Sequence, residues 1–488
     1  MSVLAIDQGT TSTRALLFGN NGGESAARQL IHAAKHRQIH PAPGHVEHDP
    51  FEILGHLREC LAAAVDLPVA AVGIDNQGES CLAWDAESGL PISPVLVWQD
   101  ARTEARIEQL RRDGAEAMAR AKTGLPLDTY FSAAKLGWIM ANLPEARRLH
   151  DKGRLRLGTT DAFFLDRLTG RFVTDITTAS RTGLMDLAAG RWDDELCRLY
   201  GVPPGALPEI VPTTGDFGTV SIGRREVPVT ASVVDQQAAL YGHGCRGRGD
   251  AKITFGTGAF ALAVAGTTPP PTEAADGLLP TVAWQKTGEP ATYALDGGVH
   301  TAAAALDWAK GLGLFADHAA LGDFGRETAL ERGLVFVPAL AGLASPHWDK
   351  QARGAWLGLE LGMGRELLVQ AVLEGVALRI AEVVEALGRR LPLREPLPID
   401  GGMSANPWFA QFLADALGAT LRVSDEPELT ARGTAELAAE AAGVGLELGT
   451  GGRTIEPRAC SPALRARFAA AVEAVRQYGR AGGLPSGL

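Results

Sequence analysis

Val3-Leu4-Ala5-Ile6-Asp7-Gln8-Gly9-Thr10-Thr11-Ser12-Thr13-Arg14 lies almost at the start of the chain, and its reading decides the fold. Four apolar residues predict a short buried strand, and the polar run from Asp7 breaks it into a turn. The same grammar returns much later. Lys252-Ile253-Thr254-Phe255 runs into Gly256-Thr257-Gly258 and a second apolar stretch at 259–265. Both segments predict hairpins with small hydroxyl residues at the bend. Residues 397–399 form a third strand-like run that enters Asp400-Gly401-Gly402, while 69–74 stops at Asp75-Asn76 and 229–234 stops at Asp235. Two halves opened by similar hairpins predict a duplicated architecture of alternating strands and helices.

At 488 residues the chain is roughly three times a typical domain length of about 150, so at least two domains are expected. The segment 242–250 holds four glycines and is the best linker, dividing the chain into 1–245 and 246–488. Helical periodicity is clear over 366–387, where Leu367, Val369, Val372, Leu373, Val376, Ile380 and Val384 share one face. Residues 406–417, 430–442 and 462–478 also read as helices.

The 46 basic and 57 acidic side chains give a net charge of −11, which disfavours nucleic acid and anionic lipid as partners. The longest uncharged stretch, 253–272, is interrupted by glycines, threonines and three consecutive prolines, so it reads as strand, turn and loop and no membrane insertion is expected. The N-terminus reaches Asp7 without a basic region followed by an apolar run, which predicts no secretory leader and a cytoplasmic protein. Cys60, Cys81, Cys197, Cys245 and Cys460 are scattered without metal-ligand spacing and are expected to be reduced thiols.

The first turn sets a carboxylate beside a glycine bend, four hydroxyls and a cation, a combination able to hold Mg²⁺ and phosphate oxygens. No Walker-type G-x-x-x-x-G-K-[ST] loop is present. Asp, Gly and Thr also favour ordinary polar turns, and that alternative stays open for each turn taken singly. As a pair, the two hairpins would clamp a nucleotide in an interdomain cleft, with Asp400-Gly401-Gly402 and Asn406 as a third close-approach loop.

Further motifs give these hairpins company: residues 41–50 (Pro-Ala-Pro-Gly-His-Val-Glu-His-Asp-Pro), Val97-Trp98-Gln99, Tyr130-Phe131-Ser132, Ala179-Ser180-Arg181-Thr182 and Asp235-Gln236-Gln237. With Gly256-Thr257-Gly258-Ala259-Phe260 and Asp400-Gly401-Gly402, the chain from residue 3 to about 443 resembles the FGGY carbohydrate kinases. Within that family it is most similar to the branch that phosphorylates glycerol. The resemblance implies two ribonuclease H-like, actin-type ATPase domains closing over ATP, Mg²⁺ and a small polyol or sugar, commonly in a homodimer or homotetramer. Phosphoryl transfer to an alcohol needs a carboxylate to accept the hydroxyl proton, and Asp235 matches the family's catalytic base. By the same resemblance Asp7 holds Mg²⁺, and Thr10, Thr11, Ser12, Arg14, Thr257 and Gly258 face the phosphates. Gly402, Asn406, Ala303 and Asp307 fall on the nucleotide side, Ala303 and Asp307 standing where Gly and Gln are usual. Glu79, Trp98, Tyr130, Asp235, Gln236 and Phe260 match the acceptor site. The expected activity is ATP-dependent phosphorylation of a terminal hydroxyl of glycerol or a closely related small polyol.

One departure bears on the acceptor. At Asn76-Gln77-Gly78-Glu79-Ser80 the family's substrate-binding arginine is replaced by Gly78. Losing a fork of donors relaxes discrimination and frees volume, so a longer polyol or a pentulose is the alternative acceptor. Another basic residue, for instance Arg102, reaching into the site would instead keep glycerol as substrate. The stretch 222–227 lacks the glycine-lysine-glycine pattern of the family's fructose 1,6-bisphosphate loop, so no such inhibition is expected. His36, His40, His45 and His48 cluster in sequence, but their spacing is not expected to converge on a metal.

Overall fold

The computed structural model describes residues 1–19, 27–272, 276–318, 321–322, 324–449, 451–458 and 462–481. The apolar strands build two large sheets of the same plan, with amphipathic helices packed against them. In the first, Ser2–Gln8 pairs antiparallel with Ser12–Gly19, which pairs antiparallel with Ala27–Lys35. On its other side Ser2–Gln8 runs parallel to Val69–Asn76, and that strand runs parallel to Arg225–Val234. The second sheet repeats the arrangement. Ala251–Phe255 pairs antiparallel with Ala259–Gly266 and that strand with Thr292–Val299, while Leu397–Asp400 and Leu421–Ser424 follow in parallel. This is the expected duplicated α/β architecture, with each hairpin feeding the centre of its own sheet. The uncharged stretch 253–272 resolves into parts of two strands and a loop, and no helix among the described residues is long and apolar enough to cross a membrane.

Parallel register decides where the polar strand ends fall. Asp7 stands opposite Asp75, Gln8 opposite Asn76, and Val234 opposite Asn76 on the other flank. The acids that terminate three apolar runs therefore gather at one sheet edge.

The predicted helices are found at Arg365–Arg390, Pro407–Leu417, Leu429–Ala442 and Pro462–Ala481. Leu429–Ala442 lies across the strands of the first sheet although it follows the second in sequence. It packs on Asp235–Gly242 so closely that a Cβ on Gly242 would collide with Leu429 O and one on Gly433 with Ala238 O. A shared apolar cluster joins the halves, with Val3, Phe18, Val233 and Tyr241 from one side and Leu262, Trp284 and Ala294 from the other. A four-stranded sheet of Glu47–His48, Val95–Leu96, Cys81–Asp85 and Leu155–Thr159 was not anticipated, because two of its strands are two residues long and carry no legible period. Cys60, Cys81, Cys197 and Cys245 are free and buried, and Cys460 lies outside the described residues.

Candidate active site

A cavity of about 150 Å³ opens where the two sheet edges face each other. Gly78, Glu79, Trp98, Tyr130, Asp235, Gln236 and Phe260, the seven residues expected at the acceptor, all line it, and so do Thr10, Thr257 and Gly258 from the two hairpin turns. Asp7, Thr11, Ser12, Arg14, Ala303, Asp307, Gly402 and Asn406 are not among its walls.

Asp235 is the first residue of helix Asp235–Gly242, set there by the end of strand Arg225–Val234, and its Oδ1 accepts the Gln236 N–H at 2.6 Å. Burial, with Glu79 and Asp7 as neighbouring acids, pushes its carboxyl up to about 7. That value suits a group that must be ionised, yet still basic, near neutral pH. Glu79 is buried and has φ 60°, a left-handed conformation that costs a non-glycine residue on the order of 1–3 kcal/mol. Its backbone carbonyl accepts from Ser132 Oγ at 3.0 Å. Tyr130 is held from behind by buried Lys135, whose Nζ donates to the carbonyls of Thr129 and Tyr130 at 2.8 and 2.7 Å. Trp98 meets the Tyr130 ring edge-on at 5.6 Å and donates Nε1–H to Thr10 Oγ1 at 3.0 Å, tying the acceptor wall to the first turn.

At that turn the Gly9 N–H reaches Ser12 O at 3.0 Å, and in the second turn the Gly256 N–H reaches Gly258 O at 2.9 Å. Thr11 and Thr257 are exposed at the two bends. Asp7 is buried against Arg14 at 2.6 Å, and Arg14 Nη1 also donates to Glu428 at 2.8 Å. Gln8 Oε1 nearby has no hydrogen-bond partner. Beside the Arg14 guanidinium, Asp7 and Gln8 offer carboxylate and amide oxygens, the hard donors Mg²⁺ prefers, so these two fit a magnesium ion held beside the first turn. On the opposite side, Ala303 N–H donates to Gly256 O at 3.1 Å. Asp307 lies on the exposed face of helix Ala303–Gly311 and bonds His318 at 3.1 Å. Gly402 is exposed with open space around it, while Asn406 caps helix Pro407–Leu417 through Phe409 N and donates to Leu321 O at 2.7 Å.

One expectation about neighbours is corrected. Arg102 does not reach the cavity: it pairs with Asp100 and Glu47 and stacks on Trp138. The guanidinium in the wall is that of Arg181, delivered at the end of the short helix Ile176–Ser180 that Asp175 caps. Gly78 frees little room, since a Cβ there would stand 3.3 Å from Val234 Cγ1. Of the clustered histidines, His36 and His48 lie with ring centroids 5.8 Å apart, and His36 Nδ1 is 3.0 Å from Nδ1 of His56, which stands on helix Pro50–Ala63. Burial lowers His36 and His48 to about 4, so both are neutral at ordinary pH. Among the described residues no group of three or more His, Cys, Asp or Glu side chains has metal-holding geometry.

Arg181, Asp296 and Lys252 were not assigned to the site beforehand. Lys252 Nζ, fully buried, donates to Gln236 Oε1 at 2.6 Å and Thr254 Oγ1 at 2.8 Å, so it orients a cavity amide. The signal was available for two of them: Lys252 and Asp296 are single charges inside otherwise apolar strands, where an ionised group needs a reason.

Residues 2–242 match the N-terminal domain, and residues 251–442 the C-terminal domain, of the FGGY family of carbohydrate kinases. The chain belongs to that family. It is 43% identical to the glycerol kinase of Thermus brockianus over 444 residues, 89% of this chain and 88% of that protein. Among solved structures, Plasmodium falciparum glycerol kinase with ADP superposes with a TM-score of 0.87 at 29% identity, covering 97% of this chain and 98% of that one. The xylulose kinase of Rhodospirillum rubrum superposes with a TM-score of 0.82 at 25% identity, covering 98% and 100%. The protein is a phosphotransferase with an alcohol group as acceptor.

Proposed function

We propose that the protein transfers the terminal phosphoryl group of ATP to a terminal hydroxyl of glycerol. The observation that carries this reading is one small cavity in which a carboxylate raised to about 7, the polar side chains of Glu79, Tyr130 and Gln236, and two aromatic walls meet both hairpin turns. At about 150 Å³ it is well below the roughly 300–1,000 Å³ of pockets for drug-sized ligands, which suits a three-carbon polyol. Its glycerol kinase relatives support the same acceptor.

In this reading Trp98 and Phe260 flank the carbon chain, while Glu79, Tyr130 and Gln236 bind hydroxyls. Asp235 accepts the proton of the attacking hydroxyl as the new P–O bond forms. Bound ATP with Mg²⁺ supplies the phosphoryl group and neutralises its charge. Asp7 holds the metal, Thr10, Thr11, Ser12, Arg14, Thr257 and Gly258 hold the phosphates, and Ala303, Asp307, Gly402 and Asn406 belong to the nucleoside side. Enclosing the acceptor between the two halves excludes water, which would otherwise compete for the phosphoryl group. The longer-acceptor alternative built on Gly78 has less support, since Val234 borders the vacated position and Arg181 supplies a guanidinium.

The decisive assay is ADP release with Mg-ATP against glycerol, erythritol, ribitol, xylulose and ribulose, with a no-acceptor control. Highest kcat/KM on glycerol is expected, and a clear preference for a longer acceptor would overturn the reading. We include in the proposal a cytoplasmic protein that associates as a dimer or tetramer. Exposed Leu359 and Leu361 offer apolar surface for such a contact, and light scattering coupled to size exclusion tests it.

A further inference from the structure

The acceptor cavity carries a donor and an acceptor that the protein itself leaves unmatched. Arg181 donates Nε–H to Glu79 Oε1 at 2.7 Å, which fixes its guanidinium between the rings of Tyr130 and Phe131. Its Nη1 approaches Asp296 Oδ2 at 3.0 Å but makes no hydrogen bond of good geometry, and Asp296 Oδ1 has no partner at all. Both side chains are more than nine-tenths buried and both line the cavity. A purely structural ion pair would close on itself, because an unpaired buried polar atom is costly. A hydroxyl is the small neutral group that can satisfy both atoms, since it donates one hydrogen and accepts another.

We propose that Arg181 and Asp296 form a hydroxyl-binding pair for the acceptor: a substrate hydroxyl other than the one beside Asp235 donates to Asp296 Oδ1 and accepts from Arg181 Nη1. This rests on the polyol-kinase reading above and deepens it. The pair demands a hydroxyl at that point of the acceptor, where a methyl or a bare methylene leaves both atoms unmatched. It also gives the chain a guanidinium contact that Gly78 lacks.

The test compares glycerol with 1,2-propanediol and 1,3-propanediol, each lacking one hydroxyl, in the wild type and in Asp296→Asn. The asparagine keeps the shape, turns its carbonyl toward Arg181 and puts an NH₂ where Oδ1 would accept. The expected result is that preference for glycerol over one of the diols falls at least about fivefold, through acceptor KM, with the KM for ATP unchanged. A smaller change against both diols would overturn the pairing. Turnover of no polyol by the wild type would overturn the proposed function itself, so the two failures are distinguishable. Should Asp296→Asn not fold, Arg181→Lys makes the same comparison. A crystal structure of the wild type with glycerol decides independently: a hydroxyl within hydrogen-bond distance of both atoms is expected, and its absence overturns the pair.

Discussion

The turns at residues 9–11 and 256–258 join strand pairs of the same kind in equivalent places of the two sheets, yet they are made of different chemistry. Beside the first stand Asp7, Arg14 and Asp75, with Asp235 just past the end of the next strand but one. The second is built of two glycines and a threonine, and the acid on its neighbouring strand, Asp400, is taken up by His243 at 2.6 Å. Duplication therefore supplied one scaffold twice, and the halves divided the work. In the proposed reading the first edge would handle protons and cations through its side chains, whereas the second would take an anionic ligand at a turn with little side chain to intrude.

Asp235→Asn strikes the charged half at its centre. A loss in kcat of about 10²–10⁴-fold is expected, with Mg-ATP affinity by calorimetry retained. Parallel losses of binding would break the division between the halves. Next in size is a clash in the glycine half: a Cβ on Gly258 would stand 2.7 Å from Val299 O. Gly258→Ala should raise the KM for ATP about tenfold while leaving acceptor discrimination intact, as measured by initial rates on two acceptors. A subtler signature is the pH profile. Because Asp235 titrates near 7 and acts as a base, acceptor kcat/KM should climb about tenfold per pH unit below 7 and level off above it. The same shift has a thermodynamic face. The unfolded carboxyl loses its proton near 4 and the folded one near 7, so stability is lost as pH rises across that window. Asp235→Asn should therefore melt higher than wild type at pH 8 and equally at pH 4. The smallest effect belongs to Gly256→Ala, whose Cβ would meet only Gly258 O at 3.8 Å, so ATP KM should stay within about twofold.

Much of this was legible in the residues. Apolar runs ending in acids gave the central parallel strands, because a buried strand reads as a continuous hydrophobic stretch. The long helix Arg365–Arg390 was visible in its periodicity, and Leu367 is buried as an apolar residue there should be. The acceptor residues converged because strand ends and the two turns share one edge. What sequence order hid was contact between segments far apart. Arg181 and Glu79 lie 102 residues apart yet bond at 2.7 Å, whereas Arg102, nearer in the chain, turns to Glu47 and Asp100.

The crossing of Asp235–Gly242 with Leu429–Ala442 behaves as a fulcrum. Asp235 sits at one end of the shorter arm, and on the longer arm Thr434 holds Asp75 at 2.7 Å while Glu428, just ahead of it, holds Arg14. The clearance between the arms is less than a methyl group, set by Gly242 and Gly433. An alanine at Gly433 would meet Ala238 O and prise the two helices apart, shifting the helix that begins with Asp235. The register of the helix that begins with Asp235 thus rests on a residue with no side chain at all.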